Sequence, residues 1–359
     1  MKKIFFKLCA VVLSLLILSS CSISGITRTK KILSVITQTD VIEKDYISDN
    51  EAYADFTQKF KSDFTVPGLL EGVIPQGFCY CDTYEYFIIS GYYEDGELPS
   101  VIMIVDAKKG SLISYHPLCL MDGSNYTGHA GGVASSENTL YITSDNLCYT
   151  ISLDNLNTTK SGEKISFESQ FKINTKGSFA GYNNGILWIG DFIESDKKER
   201  EKVQTITTLD SGETFYAYCE GYILDDGLPS VKKINSSSDG YIPDYMIAIP
   251  EQVQGIGFTD TDKIVFSTSY GRKNNSQILI YEDVFATDRV GTYNVDNTTV
   301  DLFACSTPLL ERTIEAPPMS EGVTSYNDNL YILFESGAAK YRSHGGKKPV
   351  DTVYKGIIQ

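Results

Sequence analysis

The sequence is short of the residues on which most enzyme chemistry is built. It has three histidines and one tryptophan in 359 residues. There is no Gly-x-Ser-x-Gly elbow, no P-loop and no Gly-x-Gly-x-x-Gly fingerprint. Those absences remove α/β-hydrolase, P-loop and Rossmann chemistry from consideration. The eight cysteines include no Cys-x-x-Cys pair and no Cys/His spacing that suits zinc. Basic residues are also scarce, 31 against 46 acidic ones, for a formal charge of −15. Nucleic acid is therefore not an expected partner, because phosphate binding needs a basic surface. Even counted generously, from Ile4 to Leu18, the N-terminal apolar run falls short of the ~20 residues that span a bilayer as a helix.

That run has another reading. Lys2, Lys3 and Lys7 precede or interrupt it, and small residues follow it, as in a secretory signal. Leu18-Ser19-Ser20-Cys21 resembles the lipobox of bacterial lipoproteins. The resemblance implies residues 1–20 as a signal peptide, cleavage before Cys21, a diacylglycerol on its sulfur and often an acylated (palmitate-type) amine. Two or more acyl chains hold a protein stably on a membrane. The expected location is the extracytoplasmic face of the cell membrane, with the lipid on Cys21 as the contact. Without Lys2, Lys3 and Lys7, 28 basic side chains face 46 acidic ones, a charge of −18 that keeps the body soluble. Export permits disulfides. Cys79, Cys81, Cys119, Cys148, Cys219 and Cys305 nevertheless read as small buried apolar residues.

Residues 22–48 read as a polar tether. Between Asp49 and Phe64, Ala52, Phe56, Phe60 and Phe64 recur every fourth residue, the stripe of a helix, and Pro67-Gly68 ends it. The expected organisation is thus signal peptide (1–20), lipidated Cys with tether and helix (21–64), and one domain (65–359). In that domain short β-branched and aromatic runs follow one another, such as 86–90, 101–105, 140–143, 186–189, 264–267, 278–281 and 330–334. Gly, Asn, Asp and Ser bound them, and no long helical pattern intervenes. The fold class is all-β.

A repeat narrows it further. The stretches "PQGFCY", "GGVAS", "AGYNN", "VQGIGF" and "EGVTS" align on Gly77, Gly132, Gly181, Gly255 and Gly322, at spacings of 55, 49, 74 and 67 residues. Each opens a strand, a turn, a more apolar strand, and then a third and usually a fourth. Four strands per unit is the signature of a β-propeller blade. Five blades are expected, or six if residues 26–66 or 192–250 hide another, with chain-terminal strands closing one blade. Small residues on one face of each first strand and larger ones on the other let adjacent sheets interdigitate near the axis.

In such a fold the starts of first strands and the ends of second strands share one rim around the channel. That rim collects Gln76, His129, Asp191, Gln254, Tyr270 and Glu321 as ligand-binding candidates. Ser90, Tyr92, Ser144, Asp145, Ser269, Arg272 and Glu335 join them. His129 suits a general base or equally a satisfied loop histidine. Glu321, Glu335, Asp145 and Asp191 carry the oxygens Ca²⁺ prefers, but form no contiguous calcium loop, so no metal or cofactor is expected. Trp188 reads as packing between blades.

At "IPQGFCY", "YTGHAGGVA", "VQGIGFT", "IVFSTSYGR", "APPMSEGVTSY" and "LYILFESGAAKYR" the chain resembles secreted bacterial propeller proteins without a settled activity. More distantly it is similar to strictosidine-synthase-like, gluconolactonase-type and streptogramin-lyase propellers. Those families imply a metal or an acid/base pair at the channel mouth. Here Glu321 matches an acidic ligand position, while Gln76, His129, Ala180 and Gln254 depart from the pattern. Two functions follow: a lipid-anchored module that binds a glycan, peptide or small molecule at the mouth, or a lactonase- or esterase-like hydrolase or lyase using His129 with Glu321, with or without a bound metal such as Ca²⁺.

Overall fold

Turns set the architecture. The connection after most first strands carries residues in left-handed backbone: Glu85, Asn184 with Gly185, Asp262, and Asn327 with Asp328. Asn, Asp and Gly occupy that region at least cost, so the chain reverses sharply and the apolar second strand pairs antiparallel with the first. The computed structural model describes residues 33–194, 203–208, 211–230, 234–235, 240–343 and 348–358. Cys21, the expected signal segment (1–20) and His344 lie outside them.

Among the described residues, five sheets have four or more strands. Sheet 1 runs Ile74–Cys81, Tyr86–Tyr92, Val101–Asp106 and Leu112–Cys119. Sheet 2 runs Gly132–Ser135, Thr139–Ser144, Leu147–Ser152 and Ser169–Lys172. Sheet 3 runs Phe179–Asn183, Ile186–Gly190, Ala217–Asp225 and Tyr245–Ile249. Sheet 4 runs Val253–Phe258, Ile264–Thr268, Ser276–Tyr281 and Leu310–Ala316. Sheet 5 runs Ser320–Tyr326, Asn329–Phe334 and Thr352–Gly356, and Phe60–Thr65 completes it from the N-terminal side. Each first strand packs against the next, and the last against that of sheet 1. The ring closes, and the fold is an all-β propeller. Residues 192–250 supply the outer half of sheet 3 and a separate two-stranded ribbon, Ile206–Thr207 with Thr214–Phe215, and residues 26–66 supply the outer strand of sheet 5, so neither hides a further four-stranded sheet among the described residues.

Sheets 1 to 3 are widened by a strand from the following connection. Ile165–Ser166, Gly240–Tyr241 and Thr298–Ala304 each pair in parallel with the fourth strand of the preceding sheet. This covers edges that would otherwise be open.

The recurring glycine acts at the ring. A Cβ on Gly255 would stand 2.7 Å from the Glu321 carbonyl oxygen and 2.9 Å from Gly322 Cα. One on Gly322 would stand 2.5 Å from Phe78 Cβ. First strands thus touch backbone to backbone, as expected from small residues on the facing side. A second device repeats beside it. Ser90 Oγ accepts from Gly77 N–H at 3.0 Å and donates to Ala130 C=O at 2.7 Å. Thr143 Oγ1 donates to Gly177 C=O, and the hydroxyls of Ser267 and Ser320 bond each other. A hydroxyl at or near the end of a second strand ties down the chain entering the next sheet.

The N-terminal helix is shorter than its stripe suggests. A 3₁₀ turn and an α-helix cover Glu51–Lys59, and Phe60–Thr65 is strand. A spacing of four fits a strand as well as a helix, because four is also an even number. Phe56 and Phe60 stack at 5.0 Å between centroids and bury against Phe334 and Tyr354. The propeller therefore begins at Phe60 rather than residue 65. The end of the expected tether is docked too. Gln38 bonds the main chain at Thr65, Gly110 and Leu112, and Asp351 accepts from Val41 and Ile42 N–H.

The six cysteines from Cys79 to Cys305 are all buried and free. Burial pushes the thiols of Cys79, Cys148, Cys219 and Cys305 far up, which leaves them inert small hydrophobes. Trp188 is fully buried with Phe258 and Phe285 beside it.

Candidate functional site

Three first strands begin with a β-bulge. Register slips between Pro75 and Phe78, between Val253 and Gly255, and between Ser320 and Val323. The residues inside the slips are Gln76, Gln254 and Glu321, each followed by Gly. A bulge re-aims a side chain, and glycine beside it lets the neighbouring strand stay close. Three of the rim residues singled out from the sequence are thus bulge residues.

Two of them converge on a third group. Gln76 Nε2 donates to Glu335 Oε2 at 3.0 Å and to Pro75 C=O at 2.8 Å. Glu335 lies just beyond the second strand of sheet 5, and Glu321 is hydrogen-bonded to it. Glu321 is 4% exposed and Glu335 9%. Two carboxylates cannot both ionise cheaply in so dry a place. Burial, and then the charge of Glu335, push Glu321 far above the usual carboxyl range. Burial also raises Glu335, up to about 7, against the pull of hydrogen bonds from Tyr341, Glu321 and Gln76. The geometry is that of an acid, Glu321, donating its proton to Glu335, and the pair titrates as a unit.

A short helix covers the pair. Ala339–Ser343 lies on the connection between the second and third strands of sheet 5. Its buried Tyr341 hydroxyl donates to Glu335 and hydrogen-bonds with Tyr92. Arg272 lies 5.0 Å and Lys340 5.4 Å from the Tyr341 ring centroid. Tyr92 in turn packs on His129, ring centroids 4.3 Å apart. The His129 ring keeps an open edge, yet the surrounding atoms hold its pKa below the usual imidazole range, with Asp145 opposing and Lys340 adding to that.

The structure therefore brings Gln76, Glu321 and Glu335 together, with Tyr92, Tyr341 and His129 adjoining. Among the described residues no hydrogen bond joins His129 to Glu321. Glu321 meets Glu335 instead, and Tyr341 and Tyr92 lie between that pair and His129. Gln254 lines the waist of the channel. Asp191 accepts from Lys176 N–H on sheet 3, and the Tyr270 hydroxyl donates to Glu194 at 3.5 Å. Neither touches the pair. Ser90 and Ser269 bond the main chain and serve the ring. Among the described residues no group of three or more His, Cys, Asp and Glu side chains is placed to hold a metal ion. No described helix is long and apolar enough to cross a membrane.

Sequence reasoning missed Tyr341 and Lys340. They sit in "FESGAAKYR", six and five residues beyond Glu335, on a connection that belongs to the same rim. It also missed Glu220, fully buried in sheet 3. That carboxylate accepts from Asn174 N, Thr175 N, Asn174 Nδ2 and Thr175 Oγ1 and pins their loop. Nothing in its spacing marks it. A cavity of about 1020 Å³ opens at the opposite end of the channel, around the turns that follow the first strands.

No known protein family and no curated protein matches the sequence. Among solved structures the chain is similar to glutaminyl cyclase of Myxococcus xanthus, at 12% identity over 84% of this chain and 97% of that one, TM-score 0.43. It is similar to PQQ-bound aldose sugar dehydrogenase of Streptomyces coelicolor, at 14% identity over 82% and 97%, TM-score 0.46. It is also similar to BamB of Moraxella catarrhalis, at 8% identity over 79% and 85%, TM-score 0.32. The likeness is to bacterial β-propeller proteins.

Proposed function

We propose that this protein is a lipid-anchored, extracytoplasmic propeller of five blades that binds a ligand at the rim where Glu321 and Glu335 meet. The observation that carries the reading is the buried, proton-sharing pair at the end of a channel, with Gln76, Tyr92, His129 and Tyr341 around it. Perturbed carboxyls of this kind cluster at functional sites. The ligand class is a glycan, a peptide or a small molecule with a group to hydrogen-bond Glu335. A thermal-shift and calorimetric screen of sugars, lactones and short peptides at pH 6 and pH 8 tests it. A binder should lose about tenfold in affinity (~1.4 kcal/mol) in Glu335→Gln and in His129→Ala. Binders indifferent to both variants would refute the rim as the site.

A second reading draws on the same pair. A carboxyl pushed up to about 7 is poised for general acid–base work near neutral pH. A hydrolase or lyase would then use Glu335 and Glu321 in place of His129 and Glu321, and the screen would yield product rather than complex. For the anchor, the lipobox-like Leu18–Cys21 is the support. Cys21→Ala should move the protein from the membrane fraction to the soluble fraction, and unchanged retention would end that part of the proposal.

A further inference from the structure

The cavity at the far end of the channel is separate from the Glu321–Glu335 pair. It is blind: at the waist Phe78, Val133, Phe179, Ile256 and Val323 leave no room for a water molecule. Its volume of about 1020 Å³ is at the upper end of the range for small-ligand pockets. Tyr80, Tyr182 and Tyr326 supply aromatic rings from three first strands. Tyr80 and Tyr326 lie 4.3 Å apart between centroids, across the junction of sheets 1 and 5.

The mouth of this funnel has one sign of charge. Asp82, Glu85, Glu137, Asp260, Asp262 and Asp328 line it, against a single cation, Lys108. Lys108 is engaged by Glu85 at 2.7 Å, and Asp262 accepts from Asn183 and Asn184. Asp260 and Asp328 come from the turns of adjacent sheets 4 and 5 and hydrogen-bond each other. That contact, with some burial, raises Asp260 although both side chains are exposed. Two exposed carboxyls facing each other are held together at a cost that a cation between them would remove. Aromatic faces near carboxylates favour organic cations over bare ions, because the rings attract the charge and bury the attached hydrocarbon.

We propose that this funnel is a second binding site, for an organic oligoamine: an ammonium group lodges between Asp260 and Asp328, and the hydrocarbon spine lies against Tyr80 and Tyr326. The site is independent of the ligand proposed for the rim.

Calorimetric titration of the full-length protein in detergent with spermidine, at low salt and pH 8, tests it. A saturable one-to-one isotherm is expected. The double variant Asp260→Asn/Asp328→Asn should weaken it about tenfold or more. Both positions are exposed and the change is nearly isosteric, so folding is preserved. Tyr326→Ala should weaken it as well, while Glu335→Gln should bind spermidine as the parent does. An isotherm unchanged in the double variant, or equally displaced by Mg²⁺ at matched charge, would reduce the effect to counterion attraction by an acidic protein and overturn the proposal. So would an absence of saturable binding.

Discussion

Gly255→Ala should cost about 3 kcal/mol of stability, and Gly255→Val should leave no folded protein. The added Cβ of alanine meets three backbone atoms under 3.0 Å away: Glu321 O at 2.7 Å, Gly322 Cα at 2.9 Å and Val323 N at 2.9 Å. None is the tip of a flexible side chain that swings aside. They belong to the first strand of sheet 5, which is held on its other side by the first strand of sheet 1, where Gly322 already sits against Phe78. Displacing one strand displaces the ring, so the site cannot collapse around the new methyl. Gly291→Ala is the matched control. That glycine is also in a strand, and a Cβ there meets nothing within 4 Å. Thermal unfolding of the two variants should differ by roughly 5 °C or more. Equal melting temperatures would show that the glycine ring is not under packing constraint.

The ring was legible because its cause is local. A glycine that must admit the neighbouring strand recurs once per sheet, usually with an apolar residue after it, and each repeat carries its own turn residues. The hydroxyl ties were half legible. Ser90 and Ser269 stood out as rim residues, but a serine that bonds main chain and a serine that bonds ligand look alike in sequence. The stripe Phe56, Phe60, Phe64 misled for a stated reason: a period of four serves a strand too, and pairing with Thr352–Gly356, almost three hundred residues away, decided in favour of the strand. The site was legible as a rim but not as a pair. Glu321 and Glu335 were both collected, but which rim residues touch depends on bulges and on the path of the Ala339–Ser343 helix. No spacing encodes that path. The direction of the larger opening was not legible either, because both ends of a channel are lined by turns.

Glu335→Gln should make the protein more stable at pH 8 and leave it nearly unchanged at pH 4.5. Glu335 is raised in the folded state to about 7, chiefly by burial, whereas an unfolded glutamate titrates near ~4.3. A raised carboxyl contributes its stability fully below the unfolded value, and that contribution is lost as pH climbs through the folded one. The parent should therefore lose stability between about pH 4.5 and pH 7, by on the order of 3–4 kcal/mol for a shift of this size. Glutamine cannot ionise and still offers an oxygen to the Gln76 amide, so the variant omits that loss. Removing the Glu335 charge also lifts one cause of the raised pKa of Glu321, so Glu321 should titrate closer to an ordinary carboxyl. Denaturant unfolding of parent and variant from pH 4.5 to pH 8.5 measures the effect. The two stability curves should meet at the acid end, part between about pH 4.5 and pH 7 and keep a constant separation above that, with the variant on top. Parallel curves would mean that the pair does not share its proton as described, and that the rim holds two independently titrating carboxylates.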